Sequence, residues 1–213
     1  MRASLVPFVA REGDDTALQA GALLLTLGWL DNRKGIDPDM LHAVLSTAAF
    51  SGRQDLFDRL LAELKKTQDR RQRGAIIGAL GSFRDPKIVQ QALGLLLDPQ
   101  FDMREISRLA FTGMGDLQTQ TLPFEFLKAH YDEVLKRVPR EGDFDGAAML
   151  PFVGGAFCDE PSRLAYVGFF QDRVASYLGG PRNYAQVLES IRLCEAQRAA
   201  QSEDVAQFFA RQQ

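Results

Sequence analysis

Histidine is nearly absent from this chain: only His42 and His130 occur, and they fall on different expected helices. A helical H-E-x-x-H hydrolase needs two histidines four residues apart to ligate zinc, with a glutamate between them as general base, so that chemistry is excluded here. His130-Tyr131-Asp132-Glu133 has no second histidine, and both histidines read as helix-surface or core residues. Cysteine is equally scarce. Cys158 and Cys194 lack C-x-x-C spacing; they read as two small core residues, a disulfide being the alternative that nothing in the spacing requires. No G-x-S-x-G elbow is present, and neither cysteine has a local setting that predicts a thiolate, so nucleophilic catalysis finds no candidate. The catalytic and metal-ligating sets are therefore both empty.

Long apolar runs are missing too. The strongest, Ala20 to Leu30, falls short of the roughly 20 residues that span a bilayer, so no membrane partner is expected. A basic excess is also lacking: the formal charge is −3, which offers no general field for a phosphate backbone and argues against nucleic acid. Three glycine clusters, Gly113-Met114-Gly115, Gly154-Gly155 and Gly179-Gly180, follow no strand. They read as helix ends or close helix contacts rather than phosphate cradles. Asp143-Phe144-Asp145-Gly146 has part of a calcium-loop pattern without the remaining ligands or the closing glutamate, and reads as a solvated turn.

What the chain has in quantity is helical periodicity. Hydrophobic residues make up 46% and charged residues 25% of 213 positions, enough apolar surface for a folded core. The stretch Asp69 to Asp98 states the pattern most fully. Asp69 can cap a helix with Ala75, Ile76, Ala79 and Leu80 on one face, Gly81 can end it in a left-handed turn, and Asp85-Pro86 can start a partner. Aspartate accepts from orphan backbone N–H groups, and proline at the first helical position has no donor to leave unsatisfied. The same punctuation places helices at about Ala3 to Arg11, Asp15 to Leu30, from Asp37-Pro38 onward, Arg53 to Lys66, Asp102 to Met114, Thr119 to Val138, from Asp159-Glu160-Pro161 onward, and one or two over Arg182 to Phe209.

Aspartates at the junctions, Asp15, Asp55, Asp85, Asp116 and Asp159, recur at intervals of roughly 30 to 43 residues, near the range of helix-pair solenoids. The expected fold is all-α: an irregular HEAT-like superhelix of antiparallel helix pairs, with a compact helical bundle as the alternative. It is read as a single helical repeat domain over 1–213. An apolar helix face begins at Leu5 without a lead-in, so the domain is expected to be truncated on its N-terminal side.

Arginine supplies the one candidate surface. Arg70, Arg71 and Arg73 open the central helix, and Arg104 and Arg108 lie about one turn apart on the helix expected beside it. Guanidinium groups on adjacent helices can hold a peptide carboxylate by paired bonds, against the plainer reading of a solvated charged face.

These stretches together resemble the C-terminal helical domain of the zinc aminopeptidases related to aminopeptidase N and the endoplasmic-reticulum aminopeptidases. The resemblance is carried by Arg73 to Val89 (RGAIIGALGSFRDPKIV), by Phe124 to Leu135 (FEFLKAHYDEVL), by Phe169-Phe170 followed by Val187 to Arg192 (VLESIR), and by Trp29-Leu30 before Ile36-Asp37-Pro38. Phe124 and Tyr131 stand where tryptophans are common in the family. The resemblance implies a domain without activity of its own, which closes over the active site of an upstream catalytic domain of the same polypeptide and encloses a peptide chamber. It implies no cofactor in this chain, with zinc held by that upstream domain, and peptide substrates met indirectly. Arg70, Arg71, Arg73, Arg104 and Arg108 become candidates for the chamber face. A soluble protein is expected, cytoplasmic or periplasmic according to what lies upstream; the competing reading is a free-standing helical scaffold with a peptide- or protein-binding groove.

Overall fold

The computed structural model describes residues 2–141 and 144–212. It is all-α, apart from a two-residue hairpin that pairs Arg140–Glu141 with Phe144–Asp145. Gly142 and Asp143, the heart of the calcium-like turn, lie outside the described residues. The chain forms two compact units, Met1–Phe126 and Leu127–Gln213.

In the first unit the helices are α1 (Arg2–Arg11), α2 (Thr16–Asn32), α3 (Leu41–Phe50), α4 (Gln54–Lys66), α5 (Arg70–Leu80), α6 (Pro86–Gly94) and the short α7 (Met103–Ile106). The segments Leu95–Leu97 and Ser107–Phe111 are 3₁₀ turns. Alternate helices are neighbours: α1 lies against α3, α3 against α5, and α5 against the 107–111 segment, while α2 packs on α3 and α4 on α5. Leu45, Ala48, Leu60, Leu64, Ile76, Ile77 and Leu80 are fully buried along this arrangement. Each hairpin thus gains the apolar cover that it cannot supply alone.

Aspartate caps are the local cause of most starts. Asp15 accepts from Leu18 N at 2.9 Å, Asp69 from Gln72 N at 2.8 Å, Asp85 from Lys87 N at 2.8 Å ahead of Pro86, Asp102 from Arg104 N at 2.8 Å, and Asp159 from Ser162 N at 2.9 Å. Two expected junctions differ. Arg53, not Asp55, precedes α4, with Asp55 inside its first turn. Asp116 accepts from Gln118 N in a turn, and the next helix begins only at Leu122. Asp37-Pro38 also makes a turn, with Asp37 accepting from Asp39 N at 2.8 Å, so α3 starts at Leu41.

Gly81 is not left-handed. Its φ is −85°, and its N–H returns to Ile77 O and Ala79 O. A Cβ there would meet Thr112 Oγ1 at 3.1 Å and Leu109 Cδ2 at 3.2 Å, so close approach of a neighbouring segment is what favours glycine. The left-handed role at a helix end falls instead to Arg33, φ 61°, which closes α2 with its N–H on Trp29 O. Its side chain stacks 4.1 Å above the Trp29 ring and bonds Thr67 Oγ1 at 2.9 Å and the Glu63 carboxylate.

The second unit contains α9 (Tyr131–Arg137), the 3₁₀ segments Gly146–Gly154 and Val174–Ser176, α10 (Glu160–Phe170) and the long α11 (Gly180–Ala210); α8 (Leu122–Ala129) spans the boundary between the units. The single helix expected over Thr119 to Val138 is broken at His130, whose backbone (φ −123°, ψ 24°) leaves the helical region. The break sets Tyr131 edge-on to Phe169 at 5.5 Å. The helix expected from Asp102 is likewise interrupted, giving way at Ser107 to a 3₁₀ turn. Gly154 does make a close contact: a Cβ there would lie 2.5 Å from Cδ2 of the fully buried Tyr166, which also stacks on Tyr184 at 5.5 Å.

The two cysteines are joined. Cys158, just before α10, forms a disulfide with Cys194 in α11 across 36 residues. This corrects the reading of two small core thiols: the spacing gave no sign that the 3₁₀ segment and a later helix return the residues to within 5.1 Å at Cα. Beside it, Arg163 Nε bonds the Glu195 carboxylate at 2.9 and 3.1 Å and ties α10 to the same turn of α11.

Beyond Glu195 every described residue of α11 is exposed. A solvated helix of that length lacks tertiary support and is marginal in water. Amide hydrogen exchange should therefore show rapid exchange over residues 197–210 and strong protection around Val187 and Ile191, whose side chains are buried. Equal protection along the whole of α11 would contradict this.

Candidate functional site

The arginines singled out in the sequence lie in the first unit, on α5 and the α7 region. Asp69 starts α5, so its first turn carries Arg70, Arg71 and Arg73. Arg70 is exposed. Arg71 is exposed and ion-paired with Asp39. Arg73 is engaged on all sides by the fold: Nε and Nη2 bond the two oxygens of Glu105 at 2.6 and 2.7 Å, and Nη1 donates to Leu64 O and Thr67 O, each at 2.8 Å. The Glu105 hydrogen bonds hold its pKa above the ordinary arginine value, against partial burial. Arg73 thus joins the end of α4 and the start of α5 to α7, and its fork is occupied. Arg104, on α7, and Arg108, in the following 3₁₀ turn, are both exposed.

The structure adds residues that periodicity did not select. His42 on α3 lies over Gly78 of α5, where a Cβ would fall 2.2 Å from its Cε1 and 2.7 Å from its Nδ1. Partial burial, then the charges of Arg108 and Arg11, hold the His42 pKa below the usual 6.5. His42 is accordingly neutral at pH 7. Replacing Arg108 by glutamine should raise the His42 pKa toward 6.5, as read from its imidazole shifts in an NMR pH titration; an unchanged value would show that the two do not share one surface. Because the folded value lies below the unfolded one, the stability linked to this group is full above about pH 6.5 and is lost as pH falls through the folded value.

Arg11, at the end of α1, and Arg84, in the α5–α6 turn, stand over the same ring, Phe50, at 5.6 and 4.7 Å. Arg84 is ion-paired with Asp116. The bond that Gln118 N donates, ahead of the pairing with Arg84, keeps the Asp116 carboxyl below its ordinary pKa. No short-range motif links residues 11, 50, 84 and 116; only the stacking of alternate helices brings them together. The neutral His42 lies within reach of the charges of Arg11 and Arg108, a setting suited to carboxylates and other anions rather than to bond-making chemistry.

Among the described residues, no group of three or more His, Cys, Asp or Glu side chains is placed to hold a metal ion. Among the described residues, no helix is long and apolar enough to cross a membrane.

A search of curated proteins gives no match for the chain. The family model described as the ERAP1-like C-terminal domain matches residues 1–193, ending one residue before the disulfide-bonded Cys194. That match covers most of the chain, including α1 to α10 and the buried first part of α11, and the chain belongs to the ERAP1-like C-terminal domain family.

Proposed function

We propose that this chain is the non-catalytic C-terminal domain of a zinc aminopeptidase, which closes over the active site of a catalytic domain in the same polypeptide and encloses the peptide-binding chamber. The observation that carries this reading is the family match over residues 1–193. The layer formed by α1, α3, α5 and the 107–111 segment supports it, because stacked alternate helices are how a superhelical repeat domain builds a concave wall. Within that wall Arg70, Arg71, Arg104 and Arg108 are the peptide- or partner-facing residues, and Arg73 contributes by fixing the positions of α4, α5 and α7. Zinc and the general base belong to the catalytic domain, and this chain acts through shape and charge.

The Cys158–Cys194 bond favours the periplasmic alternative over the cytoplasmic one, since disulfides persist in oxidising compartments and are rare where thiol reductants dominate. The test is the genomic reading frame. An H-E-x-x-H sequence encoded upstream in frame with Met1 is the expected result; a start codon at Met1 preceded by an unrelated gene would overturn the reading in favour of a free-standing scaffold.

A further inference from the structure

At the break between α8 and α9 the second unit has a cavity of about 450 Å³, lined by Lys128, Tyr131, Asp132, Glu133, Phe169 and Arg173 among others. Its charges are of both signs. The Arg173 guanidinium lies 4.4 Å above the Phe169 ring and 5.3 Å from the centre of Tyr131, and its Nη1 donates to Phe169 O at 2.6 Å. Among the described residues its Nε and Nη2, the edge with which Arg73 grips Glu105, have no acceptor. Asp132 has no cation within ion-pair distance, whereas Glu133 meets His130 Nδ1 at 3.2 Å. Burial holds the Tyr131 hydroxyl above its usual pKa, Arg173 opposing that shift and Asp132 adding to it, so both charges reach one side chain without closing on each other. Arg173 is exposed, and the guanidinium face turned away from the rings is open.

We propose that this cavity binds a small zwitterion with an aromatic body, of the class represented by a free aromatic amino acid: its anionic end on the Nε–Nη2 edge of Arg173, its ammonium at Asp132 and its ring on the open guanidinium face. The charge pattern selects this class. A simple anion gains Arg173 but is repelled by Asp132 and Glu133, and a simple cation gains the acids but is repelled by Arg173 and Lys128. Only a ligand that carries both charges gains at each end. A guanidinium stacked on one ring offers its second face to another, which gives the aromatic body its place. Aromatic walls with a few polar groups of fixed position are the lining of small-ligand pockets. The site lies wholly in the second unit and does not rest on the function proposed above.

The test is NMR titration of the complete chain with L-phenylalanine, against N-acetylphenylalanine as the anion without an ammonium, phenylalaninamide with its amine protonated as the cation without a carboxylate, and glycine as the zwitterion without a ring. L-Phenylalanine should shift the amides of Lys128 to Glu133, Phe169 and Arg173 in a saturable way, and each of the other three should bind about tenfold more weakly or worse. Arg173→Met should weaken the binding of L-phenylalanine by a similar factor, and Asp132→Asn should narrow the gap between L-phenylalanine and its acetylated form. If L-phenylalanine gives no saturable shift at these amides, or any of the three analogues binds as tightly, the proposal fails. These comparisons within the unaltered chain hold even if a variant does not fold; a folded Arg173→Met chain that binds L-phenylalanine undiminished would equally overturn it.

Discussion

Replacing Cys158 and Cys194 together by serine should lower the stability of the second unit by about 3–4 kcal/mol. The bond closes a loop across 36 residues, and in the chain-entropy account a cross-link of that span removes roughly this much freedom from the unfolded state. The loss should be concentrated where the bond acts. Arg163 and Glu195 lie next to it and join α10 to α11, so freeing Cys194 should loosen this turn of α11 first and unfasten Val187 and Ile191 afterward. Chemical denaturation followed by Tyr fluorescence of the second unit, against Trp29 fluorescence in the first, would separate the two. A midpoint that falls for the tyrosine signal and not for Trp29 is the expected outcome; equal stability of the native and doubly substituted chains would mean that the bond contributes nothing to the fold. Thiol titration of the native chain after denaturation without reductant should find no free cysteine.

Arg73→Met should be the most damaging substitution among the arginines, costing about 2–4 kcal/mol. Most of its side chain is buried, and methionine would retain the apolar stem while stranding the Glu105 carboxylate and the Leu64 and Thr67 carbonyls. Breaking one half of a largely buried pair leaves a desolvated charge, which costs more than the intact pair contributes. Arg73→Lys should recover little, because an ammonium cannot make the two-pronged bond to Glu105 while also reaching two carbonyls. Arg70→Met, on an exposed side chain, should stay within about 0.5 kcal/mol. Thermal melts of the three variants decide this. Equal effects at positions 70 and 73 would show that the Glu105 clamp has no weight in solution.

The contrast between Arg70 and Arg73 also marks where sequence reading stops. Capping is local, so Asp69 with Gln72 and Asp85 with Pro86 could be read from neighbouring residues, and the central hairpin stands much as expected. The role of Arg73 depends on Glu105, 32 residues away, and no periodicity reports that distance. The same holds for Arg11, Phe50 and Arg84, which meet only through the stacking of α1, α3 and the end of α5. His130 looks like an interior position of one helix because the apolar spacing runs through it; the break there places Tyr131 against Phe169 and Arg173, a tertiary contact without a sequence signal. Where the expected turn chemistry differs, as at Gly81, the glycine is explained by the crowding of Thr112 and Leu109 and not by its φ.

The function proposed from the family match over residues 1–193 is that this chain shapes a peptide site whose chemistry is supplied elsewhere. The most direct measurement is hydrolysis of leucine 4-nitroanilide by the purified chain with added zinc. The account predicts a rate equal to buffer with zinc alone; saturable turnover that co-purifies with the chain and disappears on chelation would contradict it.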